Sequence, residues 1–492
     1  MGILTIQYDD QFSTFEFNGS PSVKQVLEAA GFLIPHPCGG RGSCGKCTIG
    51  LEGNVSAPND IEQRAGTRLS CQARLLGDAT VHLPKKHSVI QIETGSSRNL
   101  VPSAPMAHGL GAAVDLGTTT LVLKLCDLES GIILSSASSI NPQTSVAADV
   151  MGRIGAALNG KLNELQSQVN IAINGLLEQA CVKAGIQVDS VKYLVITGNT
   201  TMLYLLTGRE PESLAYAPFQ ADFLFGVEAE ILQRRAYLPF CMNAFVGADI
   251  TCAVLASGLA KYADTALLCD IGTNGELALW KNHTLYVAST AAGPAFEGAG
   301  ISCGCGSVQG AIDRVWVENG EIRVHTISEI PAVGLCGSGL VDAIAAYRRL
   351  GHIDETGATD MTSLPLSGKV ALLPRDIRAV QLAKSAIAAG IRVVLDAAGT
   401  NIDEVSCLYI AGGFGSHLNV DSAVAIGLIP AELRDRVQVI GNAALDGALR
   451  LLMDKNRIPE TQAIAESASH IKLGGNAKFS EHYFEQMMFP EY

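Results

Sequence analysis

The feature that most constrains this chain is a strand–turn–strand unit that occurs twice. Residues 113–120 read Ala-Val-Asp-Leu-Gly-Thr-Thr-Thr. An apolar strand runs into Asp115, Gly117 turns the backbone, and three hydroxyls precede a second strand, Leu121 to Leu125. Residues 267–279 repeat the pattern, with Asp270, Gly272 and Thr273 matching Asp115, Gly117 and Thr118. Such a turn aims backbone N–H groups and hydroxyls at an anion, which suits phosphate oxygens. An aspartate at its mouth suits Mg²⁺, a hard cation that prefers oxygen ligands and keeps much of its water. A single Asp-x-Gly-Thr is ordinary turn chemistry. A repeated one implies two related half-domains whose turns can clamp a polyphosphate from both sides.

A third element, Leu408 to Gly415, is an apolar strand ending in the turn Gly412-Gly413-Phe414-Gly415. Missing side chains there let a flat nucleoside lie against the backbone. These pieces, in this order, resemble the nucleotide site of the acetate and sugar kinase, heat-shock chaperone and actin superfamily. The resemblance assigns Asp115, Gly117, Thr118, Thr119 and Thr120 to a first phosphate loop. It assigns Asp270, Gly272, Thr273, Asn274, Gly275 and Glu276 to a second, and Gly412, Gly413, Phe414 and Gly415 to an adenosine loop. Two connecting segments also fit, Ile196 to Met202 with Gly198 and Asn199, and Gly441 to Gly447. The implied fold over residues 111–492 is a duplicated α/β actin-like ATPase domain of two lobes. The implied ligands are ATP and Mg, with Asp115 and Asp270 as the catalytic pair.

The N-terminal part has a different character. Residues 3–17 alternate polar and apolar side chains on both sides of Asp9-Asp10-Gln11, which reads as a β-hairpin. Ser22 is placed to cap a short helix over Val23 to Ala30 that Gly31 closes. Cys38, Cys44 and Cys47 follow in a glycine-rich loop, and Cys71 comes later, before a strand to about Leu83. Four thiolates suit tetrahedral sulfur coordination, by zinc or an iron–sulfur cluster. Zinc sites favour two close pairs of cysteines. Three close and one remote is nearer the plant-type ferredoxin spacing, here with one extra residue in the first gap. It resembles vertebrate-type and related [2Fe–2S] ferredoxins, which implies a β-grasp, α+β ferredoxin-like domain over residues 1–84. Cys303 and Cys305, flanked by glycines, are a candidate second metal site, but two ligands rarely suffice.

Residues 85–110 lack periodicity and are rich in Ser, Pro and Gly, so they read as a linker. Beyond them, helical periodicity is expected at 146–158, 162–184, 248–261, 376–397 and 442–453, with a strand at Val191 to Thr197. Phe479, Tyr483 and Met487, at four-residue spacing, suggest a last helix docked on its own domain. A net charge of −13 leaves no basic surplus to replace counterions on nucleic acid. Residues 193–208, the longest uncharged run, are too few and too polar to span a bilayer. The N-terminus shows no signal pattern, so a cytoplasmic protein is expected, whose thirteen cysteines serve metal or redox chemistry rather than disulfides.

A ferredoxin-like domain tethered to such an ATPase resembles the reductive activators of corrinoid proteins, which serve cobalamin-dependent methyltransferases and O-demethylases. Further strings carry the resemblance: Asn141-Pro-Gln143, Phe245 to Asp249, Gly293 to Gly304 and Gly334 to Asp342. It implies one-electron reduction of Co(II) to Co(I) through a [2Fe–2S] cluster, driven by ATP. The implied partners are a corrinoid protein and a low-potential electron donor protein, and a homodimer is allowed. Plant-type clusters sit near about −400 mV, and the cobalt couple lies lower. Each ~59 mV of uphill gap costs about 1.4 kcal/mol per electron, a size that differential binding of two conformations can supply. Better-known members carry a middle domain for which this chain has no evident room. Two other readings use the same residues. One is a small-molecule kinase with a redox regulatory domain, with Asp115, Asp249 or Asp270 as its base. The other is an ATP-dependent redox sensor that catalyses no reduction.

Overall fold

Alternation from Gly2 to Phe17 produces an antiparallel hairpin of β1 (Gly2–Tyr8) and β2 (Gln11–Phe17), with Tyr8 opposite Gln11. The chain is represented by a computed structural model that describes residues 2–491 except 9, 10, 31, 33, 35–39, 41, 43–46, 84–99 and 414–416. The turn Asp9-Asp10 and the helix-closing Gly31 therefore lie outside the described residues. The helix Val23–Ala29 is capped as expected: Ser22 Oγ accepts from the Gln25 N–H at 3.3 Å, and Gln25 Oε1 accepts from the Ser22 N–H at 2.9 Å. Strands β3 (Thr48–Val55), β4 (Arg68–Leu69) and β5 (Leu75–His82) complete a sheet in the order β2-β1-β5-β3-β4. β5 runs parallel to β1 and antiparallel to β3, the β-grasp arrangement. Leu4, Ile6, Leu27, Leu75 and Val81 form its buried core.

The chain divides into two compact units, residues 1–89 with 142–156, and residues 90–141 with 157–492. In the first, Lys24 Nζ donates to the Ser145 carbonyl at 2.8 Å.

The second unit is a duplication. β6 (Leu110–Leu116), β7 (Thr120–Asp127), β8 (Ile133–Ile140), β9 (Val191–Gly198), β10 (Val227–Ile231) and β11 (Arg234–Leu238) lie in the order β10-β11-β9-β6-β7-β8. β6, β7 and β8 are antiparallel neighbours, and β9 and β11 add in parallel beyond β6. The same plan returns in β12 (Thr265–Ile271), β13 (Gly275–Lys281) and β14 (Thr284–Thr290). An insertion follows, with a small sheet of β15 (Ala311–Glu318), β16 (Glu321–Thr326) and β17 (Gly334–Leu335) and a hairpin of β18 (Leu364–Ser367) and β19 (Val370–Leu372). β20 (Val405–Ala411), β21 (Val437–Gly441) and β22 (Ala468–His470) complete the second large sheet, β21-β20-β12-β13-β14-β22. β20 and β21 add in parallel beyond β12, as β9 and β11 do beyond β6.

Two helices, Ala248–Ser257 and Ala443–Met453, share one buried core with residues of both sheets, among them Ala113, Val195, Leu268 and Tyr409. They cross at Gly447, where a Cβ would lie 2.1 Å from the Cys252 carbonyl oxygen, so only glycine permits the approach. The expected long helices are present as Leu162–Ala184 and Pro374–Ala397. The helix expected over 146–158 is only Val150–Ala156: a tight turn over Pro142–Ser145 and irregular chain precede it, and a π-type segment, Ala157–Lys161, follows it. The one expected over 248–261 stops at Ser257, where Gly258 at φ +72° turns the chain left-handed. The last helix, Ala477–Glu485, packs Phe479 and Tyr483 against the core of its own unit, as expected. Met487 falls just past it, and its carbonyl accepts from Gln381 Nε2 at 3.0 Å.

Residues 100–109, read as linker, are bonded to the second unit. The N–H groups of Ser103 and Met106 donate to the Met453 and Leu452 carbonyls at 3.2 and 3.0 Å, and the Lys455 N–H donates to the Ala104 carbonyl at 2.7 Å. Residues 84–99 lie outside the described residues. Among the described residues no helix is long and apolar enough to cross a membrane.

Candidate nucleotide and cluster sites

Both turns of the repeat stand at the carboxyl ends of the central strands, where open α/β sheets place their ligands. Asp115, near the end of β6, is paired across the sheet with Val122 and Thr197. Asp270, near the end of β12, is paired with Glu276 and Ala411. Register alone therefore brings Gly198 and Asn199 beside the first loop, and Gly412 and Gly413 beside the second.

The first loop is held from outside. The Gly117 N–H closes on the Thr120 carbonyl at 3.0 Å, and a Cβ on Gly117 would meet that same oxygen at 2.6 Å. Asn141, fully buried, donates from Nδ2 to the Gly117 carbonyl at 2.8 Å and from its N–H to the Thr119 carbonyl at 2.8 Å. Asn199 caps the helix Thr200–Thr207 through the Met202 N–H at 3.0 Å and donates from Nδ2 to Thr118 Oγ1 at 2.9 Å. In the second loop the Gly272 N–H donates to the Asn274 carbonyl at 3.1 Å. Gly275 sits where a Cβ would press on Ile387 at 2.9 Å.

The two loops meet. Thr119 Oγ1 and Thr273 Oγ1 are 2.9 Å apart, and both donate to Glu297 Oε2, at 2.9 and 2.5 Å. A cavity of about 170 Å³ opens there, lined by Thr119, Thr120, Ile271, Glu297, Gly337 and Gly413 among others. Gly412 has φ +102°, and a Cβ on it would sit 2.5 Å from the Ile271 carbonyl oxygen and 2.8 Å from Asp270 Oδ1. Among the described residues nothing stands within 4 Å of a Cβ on Gly413. Phe414 and Gly415 lie outside the described residues.

Five carboxyl groups gather around this cleft. Burial pushes Asp115 up to about 6, against the hydrogen bond from Asn442 Nδ2 at 2.8 Å. Burial, with Asp115 nearby, takes Asp249 to about 7. Asp270 goes to about 8 through burial and the charges of Asp249, Asp115 and Glu297. Glu276 and Glu297 are raised as well, first by burial. Mutually repelling carboxyls enclosed in protein hold protons unless a cation joins them, so the donor set fits a hard divalent ion. Among the described residues no three His, Cys, Asp or Glu side chains are arranged to hold a metal ion directly. Contact through retained water is the mode these carboxyls suit.

Of the four cluster cysteines, Cys38 and Cys44 lie outside the described residues. Cys47 and Cys71 are brought together, Sγ to Sγ 3.3 Å, although 24 positions separate them. Gln72 Nε2 lies 3.5 Å from Cys71 Sγ and donates to the Gly40 carbonyl at 2.7 Å, which supplies the N–H environment that cluster sulfurs favour. Cys303 Sγ lies 3.9 Å from the Lys369 carbonyl, and Cys305 lines the cavity between the loops.

Glu297 and Asn442 were not singled out from the sequence. Glu297 lies inside the quoted string Gly293 to Gly304, and a buried-site acid between two glycine turns was the available signal. Asn442 follows a strand-ending glycine and precedes a helix, an N-cap position whose second bond no local pattern reveals.

Comparison with known proteins agrees with this geometry. Residues 6–76 match the 2Fe-2S iron-sulfur cluster binding domain, residues 110–262 the RACo middle region, and residues 264–492 the C-terminal domain of RACo, the ASKHA domain. The middle domain expected to be missing is thus present, as the first half of the duplicated region. The chain is 34% identical over 417 residues to the corrinoid activation enzyme RamQ of Eubacterium limosum, covering 77% of this chain and 70% of that protein. It is 24% identical to the [Co(II) methylated amine-specific corrinoid protein] reductase of Methanosarcina barkeri, over 77% of each. A solved structure titled reductive activator for corrinoid, iron-sulfur protein superposes with a TM-score of 0.74 at 25% identity, covering 99% of this chain and 98% of that one. With all three regions matched in order and a relative 34% identical over most of both chains, the chain belongs to the RACo family of corrinoid activators, which join a [2Fe–2S] domain to an ASKHA domain.

Proposed function

We propose that this protein reactivates a corrinoid protein by ATP-dependent reduction of Co(II) to Co(I). The observation that carries the reading is the meeting of Thr119 and Thr273 over one carboxylate, on a chain that also sets Cys47 against Cys71. The first arrangement suits a polyphosphate gripped from two lobes. The second suits one-electron chemistry, which a bound [2Fe–2S] cluster supplies. Cys38, Cys44, Cys47 and Cys71 would hold that cluster.

Asp115 and Asp270 would approach Mg²⁺ through water, and the threonines with the turn N–H groups would hold the phosphates. Gly412 and Gly413 would leave the adenosine its room. Hydrolysis would then favour one lobe arrangement over another, and that difference would offset the uphill electron step. No phosphate needs to reach a second substrate. A low-potential donor protein would refill the cluster, in the cytoplasm, and a homodimer is compatible with the reading. The domain division proposed is a [2Fe–2S] domain over residues 1–84, a linker over 85–110 and the ATPase over 111–492, with residues 100–109 bonded to the ATPase.

The test follows Co(I) absorbance anaerobically, with a corrinoid protein, an artificial reductant, and MgATP present or absent. Reduction that proceeds only with MgATP is expected. Equal rates in both would remove ATP from the electron's path and favour the sensor reading. ATP consumption stoichiometric with a sugar or organic acid would favour the kinase.

A further inference from the structure

Glu297 stands in a place that the phosphate loops do not by themselves explain. It follows the left-handed Gly293 and sits in the short turn Pro294–Glu297, and it belongs to neither repeated unit. Yet its Oε2 accepts from Thr119 of the first loop and Thr273 of the second, and its Oε1 lies beside the turn at Gly272. It also lines the cavity between them. A carboxylate there takes the same two hydroxyls that a terminal phosphate would approach. Two anions cannot share those hydroxyls at contact distance without repulsion. When a triphosphate enters, the carboxylate must stand back from it by about the width of a water molecule.

We propose that Glu297 positions the attacking water against the terminal phosphate of bound ATP. The assignment rests on the reading of this cleft as an ATPase site. In the step, the water oxygen forms a bond to the terminal phosphorus while the bond from that phosphorus to the bridging oxygen breaks. ADP leaves with the electron pair, and a water proton passes to the Glu297 carboxylate and then to solvent. The threonine bonds make the role conditional. Thr119 and Thr273 belong to different repeats, so the carboxylate is aimed only while the two loops stand together. Hydrolysis is thereby tied to the closed arrangement. Asp115 and Asp270, at the strand ends, are left to the cation.

Glu297→Gln keeps the shape and the ability to accept from both hydroxyls, and loses the base. It is expected to bind ATP within about threefold of the wild type, by calorimetry, and to hydrolyse it about 10²-fold more slowly, the usual loss for a general base. Glu297→Asp keeps the carboxylate but retracts it, and should fall between the two with ATP affinity unchanged. A Gln variant with wild-type turnover overturns the proposal. So does a parallel loss of affinity and turnover in both variants, which would mark Glu297 as a structural tie alone. Should the Gln variant melt early, Glu297→Asp carries the comparison: turnover must fall with ATP affinity unchanged, and an unchanged turnover overturns the proposal. If the wild type itself binds no ATP, the underlying reading fails as well. If the wild type and Glu297→Gln bind and hydrolyse ATP alike, only this assignment fails.

Discussion

Asn442 donates from Nδ2 to Asp115 Oδ2 over 2.8 Å, joining two residues 327 positions apart. Its Oδ1 meanwhile accepts from the Leu445 N–H at 2.9 Å and caps the helix Ala443–Met453. One amide thus orients Asp115, the aspartate proposed to approach Mg²⁺, and starts a helix that packs between the halves. Asn442→Ala removes both bonds. The lost cap should cost about 1 kcal/mol of stability. A lost bond to a carboxylate, about 1.5 kcal/mol, corresponds to roughly a tenfold fall in ATP turnover. Asn442→Asp should be worse for turnover than for melting, because it sets a second carboxylate against Asp115. Thermal melts beside steady-state ATPase rates decide this.

Asp115→Ala and Asp270→Ala should each abolish ATP turnover and leave the visible spectrum of the cluster intact. The carboxyls are in the second unit, and the cluster cysteines are in the first. Wild-type turnover in either variant would end that residue's assignment.

The glycines of the adenosine loop separate two kinds of damage. Among the described residues nothing crowds a Cβ on Gly413, so Gly413→Val should leave the fold in place and weaken ATP binding by filling the nucleoside's room. Gly412→Ala meets the Ile271 carbonyl at 2.5 Å with φ at +102°, so it should lower the melting temperature even without nucleotide. Calorimetric affinity and a melt of each variant distinguish them.

Much of this site was legible before the fold was. The repeated Asp-x-Gly-Thr units fell in register on β6 and β12, because strand pairing preserves short local patterns. Asn442, Asn141 and Glu297 were not legible as site residues, because their partners lie far away along the chain and only sheet order brings them close. Secondary structure failed in the same physical way. Gly258 ends a helix that apolar periodicity would continue. Residues 100–109 have a linker's composition, yet their backbone groups find partners at the end of a helix more than 340 positions later.

The cluster prediction is compositional. Anaerobically purified protein should contain two irons and two labile sulfides per chain, as a [2Fe–2S] domain requires. Cys47→Ser or Cys71→Ser should lose them, whereas Cys303→Ser and Cys305→Ser should not. Zinc in place of iron, or a four-iron spectrum, would contradict the assignment.

The carboxyl cluster makes stability depend on pH in an unusual sense. Asp115, Asp249 and Asp270 are raised from 3.8 to about 6, 7 and 8. Between about pH 4 and pH 8 the folded chain then binds more protons than the unfolded one, so stability should fall as pH rises. Their contribution is fully present below about pH 4 and is lost as pH passes through the folded values. Without divalent metal or nucleotide, the melting temperature should be lower at pH 8 than at pH 5.5. Mg²⁺ should raise it more at pH 8, where the carboxylates are ionised. A melting temperature that climbs across this window in metal-free buffer would contradict the prediction.

The packing of residues 100–109 has a mechanical consequence. Those residues are fastened to Leu452 and Met453, at the far end of the helix that Asn442 begins. That helix has 11 residues, so it is a rod of about 16 Å, with three turns and little room to flex. One end of the rod is bonded to Asp115, and the other to residues 103–106. A shift at Asp115 therefore has a stiff path to residues 103–106. Any rotation at the Asp115 end becomes a displacement of those residues, with the helix as its lever arm.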